Sequence, residues 1–131
     1  EHNVGKIAER PAGLKVDPNK ISRQEDIDMR LVSSKYNAPR RQILAEVEVI
    51  NKSGKDYAFK TESFYLYALN AKNIYDTMAD PDHRELVVKA NSSIVVPLDI
   101  RPVLPSDTQL RLKYDGRNKV YHSMEIDEEK N

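Results

Sequence analysis

At 131 residues the chain is long enough for one domain with a sizeable core, and 39% hydrophobic against 32% charged residues places it among globular rather than disordered chains. Lysine plus arginine equal aspartate plus glutamate at 21 each, so no net field draws it to nucleic acid or to an anionic membrane. It has no cysteine, which excludes disulfides, thiolate metal sites and cysteine nucleophiles, and no run approaches the roughly 20 apolar residues of a membrane span.

Glu1 to Leu14 lacks periodicity and carries Gly5, Pro11 and Gly13, the pattern of a flexible arm or tether, with one domain following over residues 15–131. The chain opens on Glu1 rather than Met, as a processed or trimmed product does. Alternation begins at Asp26, where Ile27, Met29 and Leu31 face one way and Asp26, Asp28 and Arg30 the other, the period of a half-buried strand. Ser33 to Arg41, with Asn37 and Pro39, reads as a loop. Gln42 to Asn51 gives the clearest strand, with Ile43, Ala45, Val47 and Val49 inward and Glu46 and Glu48 outward, ending in the turn formers Asn51 to Lys55.

Ser63 to Asn70 alternates Phe64, Leu66 and Ala68 against Tyr65, Tyr67 and Leu69. Both faces are apolar, so this strand is covered on both sides or presents its tyrosines to a partner. Ala71 to Asn73 predicts a hairpin turn into Ile74 and Tyr75, and Asp76 to Arg84 has room for one short helix. Glu85 to Lys89 and Ser93 to Ile100 are two further strands, joined at Asn91, whose short amide tolerates a left-handed backbone. Gln109 to Tyr114 and Val120 to Ile126 complete the set, the last placing Val120, His122, Met124 and Ile126 on one face. About seven short strands separated by turns predict an all-β fold, a two-sheet antiparallel β-sandwich with a flexible N-terminal arm.

The residues carry no catalytic constellation. No serine sits in a glycine-flanked elbow, and with two of the four glycines in the arm no phosphate-cradling loop can be assembled. His83, within Asp80 to Glu85, offers oxygen and imidazole donors but meets neither calcium-loop nor zinc spacing. The seven tyrosines, concentrated between Tyr57 and Tyr75, suit recognition because each joins an apolar ring to a hydroxyl that needs a partner. Single-stranded nucleic acid also stacks on such rings, but the neutral charge and missing basic stripe argue against it. Asn51-Lys52-Ser53 and Asn91-Ser92-Ser93 match the glycosylation triplet and serve equally as turn residues.

The succession of Ala45 to Lys55, Ser63 to Asn70 with Tyr75, Leu86 to Leu98, and Leu110 to Tyr114 resembles the immunoglobulin-like domain of secreted lipoproteins of Gram-positive bacteria, an extracellular family labelled as telomeric-repeat-binding-factor-2-like. This chain has Ala90-Asn91 and Ala71-Lys72 where that family has glycine-containing turns. The resemblance implies a sandwich behind a signal peptide, a lipidated cysteine and a polar tether, located outside the cytoplasm on the outer face of the membrane. It implies no catalytic residue.

The expected function is a non-catalytic extracytoplasmic interaction module without cofactor or metal, binding a protein or cell-envelope component. Contact with nucleic acid is not expected, and contact with the membrane runs only through a removed lipid anchor. The chain is expected as a monomer or weak dimer. Two surfaces are candidates: the tyrosine strand (Tyr65, Tyr67, with Tyr75 nearby) and the loops at one sandwich end (Arg40, Arg41, His83). Two alternatives are a proteinase-inhibitor-like sandwich presenting the 33–41 loop, with Arg40 as specificity residue, and a metal-dependent hydrolase built on His83.

Overall fold

A computed structural model of the protein describes residues 8–10, 21–24, 26–77 and 85–126. The described residues form an all-β sandwich of antiparallel strands. In chain order these are β1 (Ala8–Arg10), β2 (Ile21–Gln24), β3 (Ile27–Asn37), β4 (Gln42–Asn51), β5 (Tyr57–Lys60), β6 (Phe64–Ala68), β7 (Asn73–Asp76), β8 (Glu85–Val88), β9 (Ser92–Ile100), β10 (Leu110–Asp115) and β11 (Tyr121–Glu125). One sheet has the order β1-β9-β4-β3-β2, the other β11-β10-β6-β7, and β5 with β8 makes a separate two-stranded ribbon.

Period-two patterning builds the core. Met29, Val47, Val49, Val96 and Ile100 of the larger sheet meet Phe64, Leu66, Leu112 and Tyr114 of the smaller one, all essentially without solvent contact. The ribbon adds Phe59 and Val88. Phe59, Phe64 and Tyr114 form an aromatic cluster with centroids 4.8 to 6.3 Å apart. His122 belongs to the same interior, 6.3 Å from the Tyr114 ring, and Val120, Met124 and Ile126 are buried with it, as the alternation of the last strand predicts.

The Tyr57 and Tyr114 hydroxyls lie 2.9 Å apart, and Tyr57 donates to the Arg117 carbonyl at 3.2 Å. Burial pushes both phenols above their ordinary value of 10.0, and for Tyr114 the Tyr57 hydroxyl pushes in the same direction. Both groups therefore keep their protons in the fold at a pH where the unfolded chain releases them. Their stabilisation is fully present below about pH 10 and falls as pH rises above it. Urea midpoints measured from pH ~8 to ~11 should fall across the upper part of that range, and the Tyr57→Phe/Tyr114→Phe variant should show a shallower fall. Equal slopes would place the alkaline sensitivity elsewhere.

The structure revises several sequence expectations. The stretch expected as a flexible arm contains β1, which pairs with Ser93 to Val95 at the edge of the larger sheet. Eleven strands rather than about seven are present among the described residues: β1, β2 and β5 are too short to show periodicity, and the stretch holding Ile74 and Tyr75 is a strand of its own, β7. Ser33 to Asn37 is not loop but strand, paired with Gln42 to Glu46 after a bulge between Leu31 and Ser33. Each polar side chain there has a cross-strand neighbour, and Ser33 Oγ donates to Glu46 at 2.9 Å. The connection shrinks to Ala38–Arg40 in a 3-10 turn and Arg41 in the left-handed region (φ 49°).

Two carboxylates on outward positions are buried. Glu48 has no solvent contact and is held by Arg30, while Asp28 pairs with Lys52 at 3.1 Å. Asn51 is buried too: Nδ2 donates to the Lys55 and Val88 carbonyls and Oδ1 accepts from Ser53 N and Oγ, so the triplet at 51–53 is a structural turn. Asn91 takes the left-handed backbone expected of it (φ 55°).

Candidate binding face

The smaller sheet presents its outer face through the alternate residues that β10, β6 and β7 do not place in the core. Pairing of β6 with β7 sets Tyr67 opposite Ile74 and Tyr65 opposite Asp76. Pairing with β10 sets Arg111 opposite Tyr67 and Lys113 opposite Tyr65. The result is two cross-strand rows, Glu125-Arg111-Tyr67-Ile74 and Ser123-Lys113-Tyr65-Asp76. Tyr65 and Tyr67 are half-buried, whereas Ile74 is 62% exposed. Tyr121, on β11, is also exposed.

Positive charge borders the rings. Lys113 Nζ stands 5.1 Å from the Tyr67 ring centroid, a cation–π distance worth about 0.5–1 kcal/mol at an exposed site. Arg111 approaches Glu125 on β11 at 3.9 Å, a solvent-screened pair of little energetic weight. This face joins apolar ring area, an aliphatic anchor and hydrogen-bonding hydroxyls on a rigid sheet, the composition of a recognition surface.

Tyr75 does not belong to it. One residue out of phase with Ile74, its side chain turns toward the 101–109 loop, where its hydroxyl donates to the buried Asp107 carboxylate and accepts from Leu104 N at 3.4 Å. Burial, and after it the Asp107 carboxylate, raises its phenol above the ordinary range. Asn73 also donates to Asp107, and Asn70 bonds the Ser106 carbonyl and Thr108 N. Tyr75 thus fastens a long loop to the β6–β7 hairpin.

Arg40 and Arg41 are exposed at the tip of the β3–β4 hairpin, on the other sheet. Of the 33–41 loop expected to be presented to a proteinase, Ser33 to Asn37 is strand, and Ala38 to Arg41 remains as the tight connection that carries exposed Arg40. His83, and the short helix expected around it, fall in the segment 78–84 outside the described residues. Among the described residues no group of three or more histidine, cysteine or carboxylate side chains is placed to hold a metal ion.

Arg111, Lys113, Ile74 and Tyr121 escaped the sequence reading of the site. Alternation along Gln109 to Tyr114 already turned Arg111 and Lys113 outward, but only the register of β10 on β6 puts them beside the tyrosines.

The fold defines the class: an all-β sandwich of antiparallel strands. No family model matches the sequence, and no curated protein matches it. Among solved structures the fold is similar to that of the yjhA protein from Bacillus subtilis, at 11% identity and a TM-score of 0.56, over 78% of this chain and 92% of that one. It is also similar to a candidate lipoprotein (ycdA) from Bacillus subtilis subsp. subtilis str. 168, at 14% identity and a TM-score of 0.62, over 82% of this chain but 38% of that one. At such identities the likeness is one of fold.

Proposed function

We propose that the chain is a non-catalytic interaction module, working outside the cytoplasm and carried on a lipid anchor, that captures a protein or cell-envelope component on the outer face of its smaller sheet. The observation that carries this reading is the row of half-buried tyrosines beside exposed Ile74, bordered by Arg111 and Lys113. Rigid rings on a sheet bind at low entropic cost, because ring and backbone are already ordered before the partner arrives. The fold shared with a candidate Gram-positive lipoprotein supports the location and the anchor.

The test is a crosslinking pull-down from envelope extracts, comparing the wild-type chain with a Tyr65→Ala/Tyr67→Ala variant whose fold is verified by circular dichroism. A partner captured by the wild type and lost by the variant is the expected result. Equal capture by both proteins would remove the tyrosine face as the site.

A further inference from the structure

Four of the arginines whose side chains are described have a carboxylate partner: Arg30 with Glu48, Arg101 with Asp99, Arg111 with Glu125 and Arg117 with Glu85. Arg40 and Arg41 differ. They are neighbours in sequence, both exposed, and neither side chain makes an ion pair or hydrogen bond among the described residues.

Their backbone is nevertheless held in place. Pro39 stiffens the 3-10 turn, Arg41 N donates back to the Ala38 carbonyl at 3.1 Å, and the Arg41 carbonyl accepts from Val103 N at 2.6 Å. The cross-strand register brings more positive charge to this corner. Exposed Lys35 stands opposite Leu44, which itself stands opposite Asp99, and Arg101 follows Ile100, the partner of Ile43. Asp99, the carboxylate that this register supplies, is already engaged by Gln42 at 3.0 Å and by Arg101 at 3.3 Å. Arg40 and Arg41 thus share a fixed turn with no carboxylate partner among the described residues, an arrangement that suits an external anion.

We propose that this corner binds a phosphate-bearing anion, with Arg40 and Arg41 supplying the guanidinium forks and Lys35 a supporting charge. A guanidinium donates two parallel hydrogen bonds to a pair of oxygens, and two adjacent forks match a group with more oxygens and charge than one carboxylate. The surface lies on the larger sheet, apart from the tyrosine face, so it stands or falls independently of the function proposed above.

The two sources of such an anion, a free phosphate group and a phospholipid headgroup, are separated by titrating the whole isotope-labelled chain with different probes. These are inorganic phosphate, then vesicles of phosphatidylglycerol, with phosphatidylcholine vesicles as the uncharged control. Backbone amide signals of Ala38, Arg40, Arg41 and Val103 report the corner. The expected result is a saturable change confined to these amides, weakened several-fold between ~50 and ~200 mM salt. It should be lost in Arg40→Gln/Arg41→Gln, whose remaining spectrum overlays the wild type and so certifies the fold. A response to phosphate supports direct recognition of the phosphate group, and one to phosphatidylglycerol vesicles alone supports a headgroup; both uphold the site. No saturable change with either probe, or an equal change in the double variant, overturns it.

Discussion

Replacing Arg30 by methionine will cost about 3–5 kcal/mol of folding stability, the range expected when a buried ion pair loses one member. Glu48 lies on the outward face of β4 yet has no solvent contact. Its Oε1 accepts from Arg30 Nε and pairs with Nη2, both at 3.1 Å, and its Oε2 accepts from Ser93 Oγ at 3.2 Å. Taking the guanidinium away removes both of these contacts from a carboxylate in low dielectric. The strands cannot simply expose it, because β4 is held by β3 on one side and β9 on the other.

The Arg30→Met/Glu48→Leu variant separates this mechanism from a loss of packing. With both charges replaced by apolar groups of similar size, most of the loss should return. Arg30→Lys should fall between, since an ammonium keeps the charge but not the two-nitrogen contact. Urea unfolding at neutral pH provides the measurement. A loss below about 1 kcal/mol in Arg30→Met, the scale of a solvent-exposed pair, would show that Glu48 is hydrated in solution.

Gly116→Ala will be the next most damaging single change. A Cβ at Gly116 would collide with the Tyr114 hydroxyl oxygen and with two of its ring carbons, well inside any tolerable contact. The Tyr114 ring cannot move aside, because Phe59, Phe64 and His122 surround it and the Tyr57 hydroxyl holds its own. The backbone at Gly116 is pinned as well, its N–H donating to the Val120 carbonyl at 3.0 Å. Overpacking of this kind costs about 3 kcal/mol, which lowers Tm by roughly 10 °C in a domain of this size. Gly54, whose added Cβ would meet nothing within 4 Å, provides the control: Gly54→Ala should stay within about 0.5 kcal/mol of wild type. In Gly116→Ala/Tyr114→Ala the two losses should sum to less than their separate values, since removing the ring removes the clash. Full additivity would refute the collision as the cause.

The parts of the fold legible in the chain were those written in long alternating runs. Gln42 to Asn51 declares its inward face residue by residue, and the structure buries Ile43, Ala45, Val47 and Val49. The short strands were not legible, because three or four residues hold too few periods to stand out, and β1 and β2 take their place from the pairing they make with β9 and β3. Ser33 to Asn37 misled for a related reason. Its small polar residues match a loop in composition, but main-chain hydrogen bonds to β4 do not depend on side-chain hydropathy.

The candidate face divides in the same way. Alternation alone told that Tyr65 and Tyr67 share one side of their strand, and that Arg111 and Lys113 share one side of theirs. Pairing decided that the two sets are neighbours, that Ile74 joins them and that Tyr75 turns away to hold Asp107. By itself, then, the sequence determined an all-β sandwich, its inward residues and its turns, because these follow from local chemistry and a period of two. Only the tertiary structure decided which strands are neighbours, that Glu48 and Asp28 are buried with Arg30 and Lys52, and that Arg40 and Arg41 stand without carboxylate partners among the described residues. Those are contacts between residues far apart in the chain, set by sheet register and packing, and no local pattern encodes them.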